Sequence, residues 1–251
     1  MNRPVSLVAV AHLSPGPDGR VAGFDPVAAG LPRKNLKTMT RAVQLGVATV
    51  ARALAAYPAW VDVPPARRGL FVGASPQSGD AEDLAPALAA MEGEQTVAAF
   101  AERAVPLIPP LWLVKGLSNN VLGYASAAHD LQGDNGNWCD GRLGGAVAIA
   151  NAIRSVAEGR VDLAVAGGAD SLHGAEGVLG RPCAEGAAFF VFVAGEGDLS
   201  AEAGPPSEDG ALAAPGELGA AALPLALAEA WARGQEDVVA GGIRLHRRGL
   251  A

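Results

Sequence analysis

Short apolar runs closed by glycine, proline and serine alternate along the chain with stretches whose apolar residues recur every three or four positions. The first run, Val5–Ala11 (VSLVAVA), stops at Ser14-Pro15-Gly16-Pro17 and predicts a buried strand. Leu36, Met39, Val43, Val47, Val50 and Leu54 then mark one face of an amphipathic helix that ends before Pro58. Arg68–Ala74 predicts a second strand, and residues 81–104 read as weakly patterned helical turns. Val105–Leu113 carries three prolines and must be extended or turning. A helix is expected over Gly116–Leu131, a turn at Gly133-Asp134-Asn135-Gly136, a short extended piece over Asn137–Cys139, and a helix over Leu143–Glu158 with Gly159 as its C-cap. Val161–Ala166 and Ala187–Ala194 predict two more buried strands. Residues 195–216 shift to glycine, alanine, proline and acid and read as a loop. Residues 217–233 are helical in pattern but hold Pro224, at which the helix bends or begins, and Asp237–Leu245 reads as a last strand. Apolar strands alternating with helices predict parallel βαβ units in a layered α/β fold.

Composition narrows this picture. Half of the 251 residues are hydrophobic, which excludes a disordered chain, and the formal charge of −7 without a basic stripe argues against nucleic acid or an anionic membrane as partner. The two cysteines, Cys139 and Cys183, make no disulfide framework, and no histidine lies near them at metal spacing, so no zinc site and no cofactor is expected. No run of about 18 apolar residues predicts a membrane span, and a cytoplasmic location follows as the expectation.

The candidate chemistry sits between Asn119 and Asp170, where a strand turns into a helix through Cys139-Asp140-Gly141-Arg142. A helix start offers free backbone N–H groups and partial positive charge, the setting in which many α/β enzymes hold a nucleophile. Cys139 is either such a nucleophile or a buried small hydrophobe beside Trp138. Arg142 either points to solvent or serves as a plug or anchor, filling a pocket or pairing with Asp140 or with an acidic residue of a partner. A cation at a helix N-terminus opposes the dipole and asks for a compensating carboxylate. Asn119 reads as a helix cap.

Several segments in order resemble the N-terminal half of a β-ketoacyl synthase, of the thiolase-like fold. RKNLKTMTRAVQLGVATVARAL is similar to the family's early helix, with Thr40 where an Asp is usual; RRGLFVGAS is similar to the strand that follows. PLIPPLWLVKGLSNNVLGYASAAHDLQG places Asn119, Gly123 and Gly133 at the family's Asn and Gly positions. AIRSVAEGRVDLAVAGGAD and EGAAFFVF resemble the strands that close the half. The resemblance divides the chain into a ketosynthase-like N-terminal α/β domain (1–195), a Gly/Ala/Pro-rich acidic loop (196–216) and a residual C-terminal helix and strand packing on the same domain (217–251).

The departures from the family carry the functional expectation. Counted back from Gly167 or forward from Gly133, the family's nucleophilic cysteine falls on Arg142, and Cys139 lies three residues earlier on the incoming strand. An arginine can neither accept an acyl group nor act as a base at neutral pH. The second half of the family's chain, with its two histidines, is missing in bulk; PGELGAAALPLALAEA resembles the segment of one of them, with Glu217 in its place. None of His12, His129, His173 and His246 takes a catalytic position. The resemblance therefore implies a non-catalytic partner of an active ketosynthase, similar to the chain-length factors of type II fatty-acid or polyketide (aryl-polyene-like) systems, in contact with that ketosynthase and with acyl carrier protein. Asn119, Trp138, Cys139, Asp140 and Arg142 would line its acyl pocket or interface. Two other readings stand beside it: a compact acyltransferase or hydrolase using Cys139, with Asp140 or Glu217 nearby, and a homodimeric scaffold without an acyl role.

Overall fold

The computed structural model describes residues 3–75, 83–197, 199–212 and 214–247; the opening of the 81–104 stretch and Pro76 lie outside them. Eight strands form one sheet in the order β3-β2-β4-β5-β1-β6-β8-β7. They are β1 (Val5–Leu13), β2 (Arg68–Gly73), β3 (Asn135–Trp138), β4 (Leu163–Ser171), β5 (Glu185–Ala194), β6 (Leu199–Ala203), β7 (Asp237–Ala240) and β8 (Ile243–Arg247). The four longest helices described are α1 (Arg41–Ala55), α2 (Asn120–His129), α3 (Gly144–Ala157) and α4 (Ala222–Ala232). β3, β2 and β4 run parallel, as the βαβ pattern predicts; the remaining neighbours pair antiparallel, so the sheet is mixed.

The layering follows from alternation along fully buried strands. On β5, Ala187, Phe189 and Val191 join the core beneath α1 and α2, whereas Ala188, Phe190 and Phe192 join the core beneath α3 and α4. Helix α1 starts where Thr40 Oγ1 accepts the amide of Val43, so the threonine found where the family has an acid still caps the helix. Arg41 then reaches Glu185, which is fully buried at the head of β5, and Val21 N–H donates to the same carboxylate.

The C-terminal part departs from expectation in two ways. The stretch 196–216 is not all loop: Leu199–Ala203 is a strand, because its central Ala201 is buried and the segment pairs with β8. The single last strand is a hairpin, since Gly241 and Gly242 take φ of +64° and +80° and reverse the chain. Pro224 marks the beginning of a helix, the second of the two expected outcomes. It sits in the first turn of α4, where no intrahelical N–H is needed. Leu223, Leu225 and Leu227 of this helix are fully buried, each worth about 2 kcal/mol in area removed from water.

Candidate functional site

The site lies where the C-terminal end of β2, the end of β4 and the start of α3 meet the turn Gly219–Ala221. Glycines permit the approach. A Cβ on Gly73 would lie 2.3 Å from Gly145 N, one on Gly145 would lie 2.3 Å from Ala220 O, and one on Gly168 would lie 2.2 Å from the same oxygen. The tail therefore packs backbone against backbone on the elbow, and the small residues at the head of α3 serve that contact.

Arg142 stands in the single turn Gly141–Leu143 that leads into α3. It is not paired with Asp140, whose side chain makes no cap bond. Its Nε donates to Glu217 Oε1 and Oε2 at 2.9 and 3.1 Å, and its Nη2 donates to Oε2 at 2.6 Å. Arg181 Nη1 reaches Oε2 at 3.1 Å, and Gly219 N–H donates to Oε1 at 3.0 Å. The Glu217 side chain is 4% exposed and that of Arg142 is 40% exposed. The Arg142 guanidinium holds the Glu217 carboxyl below the usual carboxylate range despite burial, and the same bond raises the arginine. Thus Arg142 and Glu217, the residues expected from the resemblance at the nucleophile and histidine positions, are bonded to each other. The carboxylate that the helix dipole required comes from 75 residues away.

Beneath this pair lies a second carboxylate that the sequence reading passed over. Asp170, at the end of β4, is 1% exposed. Its Oδ2 accepts Ser75 Oγ–H at 2.5 Å and Ala220 N–H at 3.1 Å; its Oδ1 accepts Ser171 N–H at 3.1 Å. Burial pushes this carboxyl up to about 6, the charge of Glu217 adding to the shift while the three hydrogen bonds oppose it. A cavity of about 390 Å³ opens above both acids, walled by Ser75, Arg142, Leu172, Leu179, Arg181 and Glu217 among others. An acid closing the run AVAGGAD was the available signal: a charge after seven apolar or small residues has to be bonded inside the core.

Cys139 is exposed, not packed away beside Trp138 as one sequence reading had it. Its Sγ accepts from Asn137 Nδ2 at 3.4 Å and lies 3.8 Å from Ser75 O, and no acid or histidine bonds to it. It does not border the cavity. Trp138 turns the other way and stacks on Phe71, ring centres 6.1 Å apart. Asn119 holds the N-cap position of α2 but makes no capping bond; Asn120 Nδ2 instead donates to Val114 O and Lys115 O at 2.7 and 3.1 Å. Of the five residues expected around one pocket, Arg142 alone borders this cavity, beside Glu217. Cys183 is buried, and burial raises its thiol pKa, with the charges of Glu176 and Glu217 acting the same way. His129 packs edge-on against Trp60 and is lowered by burial, so it is not the solvated residue its place at a helix end implies.

A layered α/β fold with one mixed sheet, of the thiolase-like kind, defines the class. The chain belongs to the β-ketoacyl synthase family, whose N-terminal domain matches residues 13–185. Among solved structures it is similar to a chain of the ishigamide ketosynthase/chain length factor (16% identity, TM-score 0.67, covering 98% of this chain and 100% of that one). It is also similar to a chain of a type II polyketide acyl-carrier protein in complex with its ketosynthase bound to the hexaketide (17%, 0.62, 76% and 62%). A β-ketoacyl synthase from Burkholderia phymatum STM815 matches likewise (18%, 0.61, 84% and 66%). The chain thus spans under two thirds of the length of the last two. No curated protein matches it.

Proposed function

We propose that this chain is a non-condensing partner subunit of an active β-ketoacyl synthase, chain-length-factor-like, in fatty-acid or polyketide assembly. The observation that carries the reading is the Arg142–Glu217 clamp. Condensation in this family needs a thiolate at the helix start, where the dipole and backbone amides favour the anion and its oxyanion intermediates. Counted along the family's motif that place falls on Arg142, whose guanidinium is bonded through Nε and Nη2 to Glu217. The arginine can neither accept an acyl group nor act as a base at neutral pH, and the carboxylate is taken up by Arg142, Arg181 and Gly219 N–H.

Partnering is supported by the surface. β3 is the edge strand of the sheet, and Asn137 Oδ1 on it is buried without a hydrogen-bond partner. Between Leu88 and Leu117, nine large apolar side chains are exposed, Val97 at 86% and Leu113 at 73%. Soluble chains seldom leave so many in one segment unless another surface covers them. In the assembled pair β3 would lie against its counterpart across a two-fold axis, with the acyl chain carried by the partner.

Co-expression with a neighbouring ketosynthase tests this. The expected result is a stable complex in which incubation with malonyl- or acyl-carrier protein, read by intact mass, acylates the ketosynthase and leaves Cys139 and Arg142 unmodified. Condensation by this chain alone, or an adduct lost in Cys139→Ala, would overturn it. A homodimer that ignores the ketosynthase in mass photometry would leave the scaffold reading in its place.

A further inference from the structure

Ser75 and Asp170 play no part in the partner role, yet their arrangement has chemical content. The Ser75 hydroxyl donates to a wholly buried carboxylate at 2.5 Å. That carboxylate is fixed by two backbone amides, and its described hydrogen-bond partners include no cation. Gly219, at φ +50°, leaves room for it; a Cβ there would lie 2.2 Å from Asp170 Oδ2. Ser75 itself is 8% exposed and borders the cavity of about 390 Å³. Leu172 and Leu179 give that cavity apolar wall, and the half-exposed guanidinium of Arg142 gives it a cation. A nucleophile bonded to a base, a cation for a developing oxyanion and an apolar wall for an alkyl chain are together the parts of an acyl-transfer site.

We propose that Ser75 is a nucleophile served by Asp170 as general base, and that this cavity hydrolyses short-chain acyl esters and thioesters. Ser75 Oγ attacks the acyl carbon as its proton passes to Asp170. The new Oγ–C bond forms, the C–S or C–O bond to the leaving group breaks, and Asp170 returns the proton to the departing thiolate or alkoxide. Water then attacks the Ser75 ester. Its proton passes through Asp170 to Ser75 Oγ, and the free acid leaves, so one water is consumed and no redox partner is needed. Burial makes the carboxylate a better proton acceptor than an exposed one, because accepting the proton removes an unsolvated charge. The reaction is independent of the partner role, since it needs neither a ketosynthase nor a carrier protein.

The isolated chain is incubated with p-nitrophenyl butyrate and with butyryl-N-acetylcysteamine. The expected result is turnover of both, with one butyryl group on Ser75 by peptide mapping. Its rate should rise with pH and level off above the Asp170 pKa of about 6. Ser75→Ala should lose about 100-fold or more, Ser75→Cys should still be acylated, and Asp170→Asn should lose about 100-fold and the pH step. Because Asp170→Asn strains a buried bond network, Ser75→Ala with unchanged circular dichroism and thermal midpoint is the deciding variant. No turnover by the wild-type chain, turnover unchanged in Ser75→Ala, or an adduct on Cys139 in place of Ser75 would overturn the proposal.

Discussion

At the scale of single residues the centre of the molecule is a carboxylate shared by two arginines. Glu217 is nearly buried and takes bonds from Arg142, Arg181 and Gly219 N–H. Removing one partner of such a pair strands the other, which is costly in a protein interior and cheaper where the stranded group reaches water. With Arg142 40% exposed, Glu217→Ala is expected to lower unfolding free energy by about 2 kcal/mol. Arg142→Ala should cost less, since Arg181 and Gly219 still hold the acid; urea denaturation with unchanged slope would measure both. Two other acids give opposite pH signatures. Asp162, held down to about 2 by Arg67 and then Arg3, adds stability above about pH 4 that fades as pH falls toward 2. Asp170, pushed up to about 6, favours the folded state protonated, so its contribution is full below about pH 4 and declines as pH rises to 6. Urea midpoints across that range should show the decline in the wild type and not in Asp170→Asn. Arg142 and Glu217 were each legible in the sequence because each stands at a counted family position. Their bond was not, since nothing local ties residues 75 apart. Ser75 and Asp170 were not legible as a pair either, because Ser75 lies two residues past the end of β2 and meets Asp170 of the parallel β4 only once the sheet register is set.

At the scale of elements, periodicity identified α1, α3, β1, β2 and β5 because each buries a full face or stripe. It missed β6 and merged β7 with β8. Those strands are short, half-exposed and rich in alanine and charge, so pairing partners and two left-handed glycines define them more than hydropathy does. Backbone proximity makes the joint between α3 and the tail intolerant. Gly145→Ala would drive a methyl into Ala220 O and the Pro224 ring, with an expected loss above about 2 kcal/mol. Gly177→Ala, with nothing within 4 Å, should stay within about 0.5 kcal/mol. Parallel thermal melts of the two variants would separate a packing constraint from general sensitivity to added bulk.

At the scale of the whole molecule, the exposed apolar side chains between Leu88 and Leu117 mark where a second chain would gain most by covering this one. Leu113→Glu is expected to leave the thermal midpoint unchanged and to weaken ketosynthase binding about tenfold or more, as measured by titration. Equal binding by the variant would move the interface elsewhere. The sheet itself is assembled out of sequence order: α4 covers β5 and β1 from the far end of the chain, and the hairpin β7–β8 extends the edge that β6 begins. On the ribosome this order has a cost. The first two hundred or so residues emerge with the Phe190 face of β5 covered by α3 but not by α4, and with Arg142 lacking its acid, because Glu217 and α4 have yet to be translated. Until α4 emerges, the nascent chain is a half-covered sheet, a natural client for chaperones, and Arg142 waits for the segment that brings its acid.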